Sequence, residues 1–570
     1  MNHIILQHAK LSSLKCLHDT STSLIKVLGL PYGTITQRFA RSQICENIND
    51  HPSSHTRFKD GVFDATIPGP SSIQPFGSVK SDASNIPLPA EDLPEDEEQS
   101  EDCLNLSIHI PPSAVDISDQ TFTSTAKLPV IVFIHGGAYF LGSGNRPYYS
   151  PVEFLRHATS RNTPAIFVSI NYRLGALGFW HAQTTSPDLV PPNNGLHDQI
   201  LALQWVQQNI AGFGGDPGNV TALGQSAGGE SSSILSNADV VKKEGLVRRV
   251  VMMSGTPVTM PAMTPGEHTE NFKTQAGKLD IKTMNEDGSE YSIDDIAQSV
   301  INADVGEIRD LAWVGSPCTQ TPLLPFDKPT MSMMRSGGPP AWRNKKSAAI
   351  EAQIISTTTF DGGISFNMMS RDPSRKHHAK AFISIAKDVL GPEHGARLCS
   401  LYAISADLDD NNALQRICLF ESDIGFFFAA LSVASANLIP ATYFHIFDLP
   451  NPFPGPLAQL GEYATHTFDI TTLLGGYDQA LLPDGYSTVV EQWRDEILGF
   501  VYDGKGVGKR FAEGGSAVLV GKEGVREVQR EEYMGGRRES LMALADEVDV
   551  EEGWDVLWVD VCRRFLMKGK

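Results

Sequence analysis

The chain has 570 residues, of which 41% are hydrophobic and 20% charged, and its formal net charge is −21. This composition is that of a soluble globular protein. Asp and Glu number 67 against 46 Lys and Arg, which disfavours a nucleic-acid partner, because phosphate recognition relies on a basic surface. The seven cysteines are dispersed and form no CxxC pair, so neither a metal centre nor a dense disulfide framework is expected. No basic stretch followed by an apolar run opens the chain, and no run reaches the roughly 20 apolar residues of a spanning helix. No membrane span and a cytoplasmic location are therefore expected. The most apolar stretch, Ile424 to Ala436, reads as a buried helix.

In chain order, residues 80–102 come first as a Pro-rich acidic segment, expected to be a solvated surface loop. Short apolar runs then read as strands covered on both faces. They are Leu128–Ile134, Ala165–Ile170, Val220–Leu223, Val250–Met253, Gln353–Thr357 and Tyr443–Phe447. Between the second and third, Leu196–Ile210 carries apolar residues at helical spacing and stops at Gly214-Gly215-Asp216-Pro217. Residues 258–345 lack a period and read as an insertion of helices and loops. Strands alternating with helical stretches predict an α/β fold with a large, mostly parallel sheet flanked by helices. A single domain is expected over 1–570, with residues 503–570 as a divergent C-terminal segment.

Two motifs carry chemistry. Gly224-Gln225-Ser226-Ala227-Gly228 fits G-x-S-x-G, between a strand and the expected helix Ala227–Leu235. In that setting the serine is forced onto a sharp turn and exposed as a nucleophile. His135-Gly136-Gly137-Ala138 follows the strand Leu128–Ile134. Its glycines let backbone N–H groups approach a developing oxyanion, with Gly136, Gly137 and Ala227 as the expected donors.

With these motifs in place, the chain resembles the type-B carboxylesterases, the α/β-hydrolase family that includes cholinesterases and fungal lipases. The likeness runs through Glu101-Asp102-Cys103-Leu104, HGGAYFLGSG from His135, NYRLGALGF from Asn171 and the long stretch from Asn193 to Gly229. Weaker likeness extends from about Leu28 to the helix around Trp493. The resemblance implies one α/β-hydrolase domain, a Ser-His-acid triad, no cofactor and a small-molecule ester as substrate.

In this fold class the order is Ser, acid, His. Downstream histidines are His268, His377, His378, His394, His445 and His466. His466 resembles the family's His-Gly-x-acid-aliphatic motif, with Thr467 in place of Gly and with Asp469 and Ile470 matching. Asp361 stands where the family usually has Glu, and Asp448 is its rival as the triad acid. Arg173 with Asp198, and Arg38 with Glu101, resemble structural ion pairs, and Ser254 resembles a supporting serine beside the triad. Gln225 replaces the acidic residue often found before the nucleophile. Gly69-Pro70-Ser71-Ser72-Ile73-Gln74 is the stretch where extracellular members carry the cysteine that pairs with the equivalent of Cys103, with Ser in its place, so a free Cys103 thiol is expected. The function implied is ester hydrolysis through an acyl-enzyme. Lipase, amidase, transesterase and non-catalytic adhesion or binding roles are the alternatives. Nothing in the sequence reports an oligomeric state.

Overall fold

The computed structural model describes residues 1–567 apart from 86–92, 94–95, 119–120, 125, 261, 286, 312–314, 344–349, 456 and 507. The central part of the acidic segment 80–102 thus lies outside the described residues. Twelve strands form the body of the main sheet. They are β1 (Asn2–His8), β2 (Ser12–Asp19), β3 (Leu24–Pro31), β4 (Asn105–Ile110), β5 (Leu128–Ile134), β6 (Ile166–Ile170), β7 (Gly215–Gln225), β8 (Arg249–Met253), β9 (Ala352–Thr358), β10 (Ala441–Phe447), β11 (Ala517–Gly521) and β12 (Gly524–Val528). Their spatial order is β1-β2-β3-β4-β6-β5-β7-β8-β9-β10-β11-β12. From β6 to β11 all neighbours run parallel; the strands at both flanks pair antiparallel.

The six expected strands are all present, with ends that coincide or differ by at most five residues. Their period-2 alternation explains why they read as continuous apolar runs. In β5, Val130, Val132 and Ile134 enter one hydrophobic cluster while Ile131 and Phe133 enter another on the opposite face. Three helices bear on the site: α1 (Asn194–Asn209), α2 (Ala227–Asn237) and α3 (Pro265–Lys278). The last lies within residues 258–345, where five helices are described.

The apolar stretch at Ile424 belongs to a longer helix than expected. One continuous helical run, Asp410–Ala436, is long and apolar enough by length and composition to cross a membrane, with mean hydropathy 1.7 and its whole apolar window buried. Its amino-terminal turns carry Asn, Gln and Arg, which is why the apolar count alone starts too late. A π-helical segment, Ser422–Phe427, interrupts its middle. The seven cysteines are all buried free thiols.

Strand register sets the site. Ile134 stands beside Gly224, Gln225 beside Met253, Met253 beside Ser356 and Thr358 beside Phe447. The carboxyl ends of β5, β7, β8, β9 and β10 therefore open onto one edge of the sheet, where ligands bind in open α/β sheets.

Candidate active site

Ser226 is the single residue between the end of β7 and the start of α2. Its backbone has φ 56° and ψ −125°, a conformation costly for any residue with a Cβ and kept only where the surroundings over-determine it. The constraint is visible. The Ser226 N–H donates to the Met253 carbonyl at 2.7 Å, and the Ser226 carbonyl accepts from the Glu230 N–H at 3.0 Å. Close packing of the turn on β5 requires Gly228, since a Cβ there would collide with the Ile134 carbonyl oxygen.

The loop after β5 is equally fixed. Gly137 has φ +106°, and its carbonyl accepts from the N–H groups of Phe140 and Leu141 at 2.9 and 3.0 Å. The Tyr172 hydroxyl donates to the His135 carbonyl at 2.8 Å, with the two rings stacked at 4.5 Å. Gln74 straps the far side: its carbonyl oxygen accepts from the Gly142 N–H at 2.8 Å and its amide donates to the Gly142 carbonyl at 3.0 Å. Buried Arg146 donates to the same Gln74 oxygen at 3.0 Å. Among the described residues, the N–H groups of Gly136, Gly137 and Ala227 have no loop or cap carbonyl as acceptor, so they are available to a ligand. Ala227 also contributes the positive end of the α2 dipole.

His466 and Asp361 meet at 2.7 Å, Nδ1 to Oδ1, and both are buried. The other Asp361 oxygen accepts from the Thr357 hydroxyl at 2.7 Å and the Thr358 N–H at 2.9 Å. The carboxylate is thus anchored to the end of β9 and presents one oxygen to the imidazole. The outer nitrogen of His466, Nε2, is met by the Gln225 amide nitrogen at 3.2 Å. Ser226 and His466 line one cavity of about 520 Å³, but the recorded contact of Nε2 is with Gln225. Phe426, from the π-helical segment, sets its ring edge-on to the imidazole at 5.4 Å. Such π segments recur at functional sites.

The rival residues lie elsewhere. His445 is buried within β10, 3.5 Å from Glu496. His268 sits in α3 with its ring 6.3 Å from that of His181. His394 faces Glu547, and His378 packs near Phe565. The Asp448 N–H donates to the Val520 carbonyl, and burial raises its carboxyl above the usual range. Arg173–Asp198 (2.8 Å, buried) and Arg38–Glu101 (2.7 Å) form the two ion pairs foreseen. Ser254 lines the cavity and donates to Asp469 at 3.1 Å.

Sequence reasoning missed several residues around this site. Glu230 and Glu421 both line the cavity and are buried. Burial pushes the Glu230 carboxyl well above its usual range. Burial, reinforced by the Asp361 charge and opposed by the Ser365 hydroxyl, pushes Glu421 up to about 8. Burial and the Asp361 charge raise Asp469 to about 6. Arg563, Leu566 and Met567 reach the cavity from the C-terminal segment, as does Trp558, whose indole N–H donates to the Val258 carbonyl at 3.0 Å. A signal existed for Glu230, a lone charge among the small residues of AGGESSS. None existed for Arg563. Among the described residues, no group of three His, Cys, Asp or Glu side chains is placed to hold a metal ion.

A serine on a strained strand-to-helix turn, at the carboxyl edge of a doubly covered parallel sheet and followed in chain order by an acid and a histidine, defines an α/β-hydrolase. Residues 38–470 match the model of the Carboxylesterase family, and the chain belongs to that family. Among curated relatives, it is 37% identical over 225 residues to the para-nitrobenzyl esterase of Bacillus subtilis, covering 39% of this chain and 40% of that protein. It is 33% identical over 280 residues to Lipase 1 of Yarrowia lipolytica, covering 48% and 50%. These matches span half or less of the relatives' own lengths. The fold is shared with a solved thermophilic PNB esterase, at a TM-score of 0.68 and 22% identity, over 95% of this chain and 100% of that one.

Proposed function

We propose that this protein is a carboxylic ester hydrolase working through an acyl-enzyme on Ser226, His466 and Asp361. The observation that carries this reading is the 2.7 Å contact of His466 with Asp361 beside a strained Ser226 in one cavity. Asp361 holds the imidazole with its proton on Nδ1, leaving Nε2 as the base. For reaction, Nε2 passes from the Gln225 amide to the Ser226 hydroxyl; such contacts commonly tighten only when substrate is bound. The Ser226 oxygen then bonds to the ester carbonyl carbon as His466 takes its proton. The oxyanion accepts hydrogen bonds from the N–H groups of Gly136, Gly137 and Ala227. The alcohol leaves with the proton from His466, and water releases the acid from Ser226 by the same steps.

The test is turnover of p-nitrophenyl esters of graded chain length, with labelling by a fluorophosphonate. Wild-type protein should be labelled at Ser226. Ser226→Ala should lose the label and fall to the residual level of triad knockouts, about 10³–10⁴ over water. A folded Ser226→Ala protein with full esterase activity, or wild-type protein that neither labels nor turns over any ester, would overturn the proposal. Faster turnover of matched anilides would make the enzyme an amidase on the same residues.

A further inference from the structure

The cavity holds two polar side chains that the hydrolytic steps do not use and that lack partners of their own among the described residues. Glu230 is 1% exposed, and among the described residues neither of its carboxyl oxygens has a hydrogen-bond partner. Leaving a buried carboxyl unpartnered is costly by ordinary desolvation, so the absence of a partner among these residues points to one supplied from outside. Arg563 lines the same cavity. Its guanidinium has neither hydrogen bond nor ion pair among the described residues, although it is mostly desolvated and acts electrostatically on Glu230. Arg563 also lies beyond residues 38–470, the part of the chain that the family has in common.

We propose that the cavity takes esters bearing a carboxylate away from the scissile bond, with the Arg563 guanidinium as counter-ion and the Glu230 carboxyl as second hydrogen-bonding partner. This rests on the esterase reading of the same cavity. The sign follows from the charges that line it. The cations are Arg563 and, at the exposed rim, Lys278; the acids are Glu230 and Glu421. Both acids are held toward their neutral forms, so neither supplies Arg563 with a fixed counter-charge. A ligand carboxylate does so, in the planar two-pronged geometry that guanidinium favours, and it can accept from the Glu230 hydroxyl. An ammonium group would meet two like charges instead. The rest of the wall, including Met260, Met263, Met368 and Phe426, is apolar and suits the chain between ester and carboxylate.

The experiment uses two matched series with full-length protein. On the acyl side, the 4-nitrophenyl monoester of adipic acid is compared with 4-nitrophenyl hexanoate and 4-nitrophenyl 6-aminohexanoate. On the alcohol side, the acetate ester of 6-hydroxyhexanoate is compared with those of hexanol and 6-aminohexanol, following acetate release. In one series the carboxylate member should exceed the neutral one in kcat/KM by about tenfold or more, a factor within reach of a single desolvated charge pair. Arg563→Gln should collapse that ratio, mainly through KM, and Arg563→Lys should keep part of it. Preference for the neutral or ammonium members in both series, or a carboxylate preference that survives Arg563→Gln, would overturn the proposal. Should Arg563→Gln fail to fold, the wild-type ratios decide alone. A protein that labels with fluorophosphonate and turns over other esters but none of these six would overturn this proposal, whereas one that neither labels nor turns over any ester would refute the esterase reading, so the two failures are distinguishable.

Discussion

Around Ser226 the cavity wall rests on constrained backbone: residue 226 at φ 56°, Gly137 at φ +106° before the lining Ala138, Thr467 at φ 69° after the lining His466, and strand ends held in register. Elsewhere around it, residues 553–567 contribute a wall of side chains, Trp558, Arg563, Leu566 and Met567, on a helical run that is π-helical from Val556 to Arg563. The first wall fixes where a carbonyl and its charge must sit, and it tolerates few residue types. The second touches only what the ester carries beyond that carbonyl, and many side chains would fit its backbone. One cavity thus separates bond-breaking from choice of substrate. Changes on the first wall should alter kcat for every ester alike, and changes on the second should alter KM ester by ester.

The largest break in that comparison should come from Asp361→Asn. The wrong imidazole tautomer would be favoured, a change that cost about 10⁴ in kcat in a serine protease. A loss of that order, equal across short, long, neutral and charged esters, is the expected result. Asp448→Asn should leave turnover near wild type, because the carboxylate that meets the imidazole is that of Asp361. If steady-state kinetics show the reverse pattern, the acid has been misassigned while the Ser226–His466 pair stands.

This division also explains what could be read from the sequence. The turn at Ser226 and the loop at Gly136 demand small residues at fixed offsets, so GQSAG and HGGA declare themselves. The parallel strands are buried on both faces, and they stand out as apolar runs. The antiparallel strands β1 and β2 went unseen because one face of each is at least partly wet: in Asn2–His8 only Ile4, Leu6 and His8 are buried. β12 was hidden likewise, since Arg526 and Glu527 lie within a five-residue strand. Arg563 was illegible for a different reason. Its place in the cavity depends on how the last helix packs, including the Trp558–Val258 contact made across 300 residues of chain. Gln74 straps the loop after β5 from 68 residues away, with no local pattern to mark it.

A smaller and pH-dependent effect should follow from Asp469, which lies under the first wall against Ser254. Its folded-state pKa is raised from 3.8 to about 6, chiefly by burial. Below both values the carboxyl is protonated whether folded or unfolded and burial carries no ionic penalty. As pH rises from about 4 to 6, the unfolded chain ionises first, so the native state binds more protons and stability falls; above 6 the penalty is constant. Asp469→Asn abolishes that slope. The stability of Asp469→Asn relative to wild type should therefore increase by about 3 kcal/mol between pH 3.5 and 7, at 1.36 kcal/mol per pKa unit. Denaturation curves at both pH values measure the difference, and a gap that does not change with pH would show that Asp469 ionises normally in the fold.

The smallest expected effect tests whether the first wall stores strain beside its base. Thr467 directly follows His466 and adopts φ 69°, ψ −13°, a left-handed conformation. That region is unfavourable for a β-branched residue and costs roughly 1–2 kcal/mol relative to glycine. The Thr467 hydroxyl offsets part of this by donating to the His466 carbonyl at 2.6 Å, which also steadies the backbone that carries the imidazole. Two substitutions separate the contributions. Thr467→Ala removes the hydroxyl and keeps the strain; Thr467→Gly removes both. Thr467→Gly should therefore be more stable than Thr467→Ala by about 1 kcal/mol. Because glycine frees the segment to leave its left-handed turn, kcat should drop modestly on all esters while KM ratios among them stay fixed. Equal stability of the two variants would mean that the turn at Thr467 is relaxed. An ester-dependent change in KM would mean that this wall also takes part in choosing the substrate, which would blur the contrast with Arg563 on the other wall.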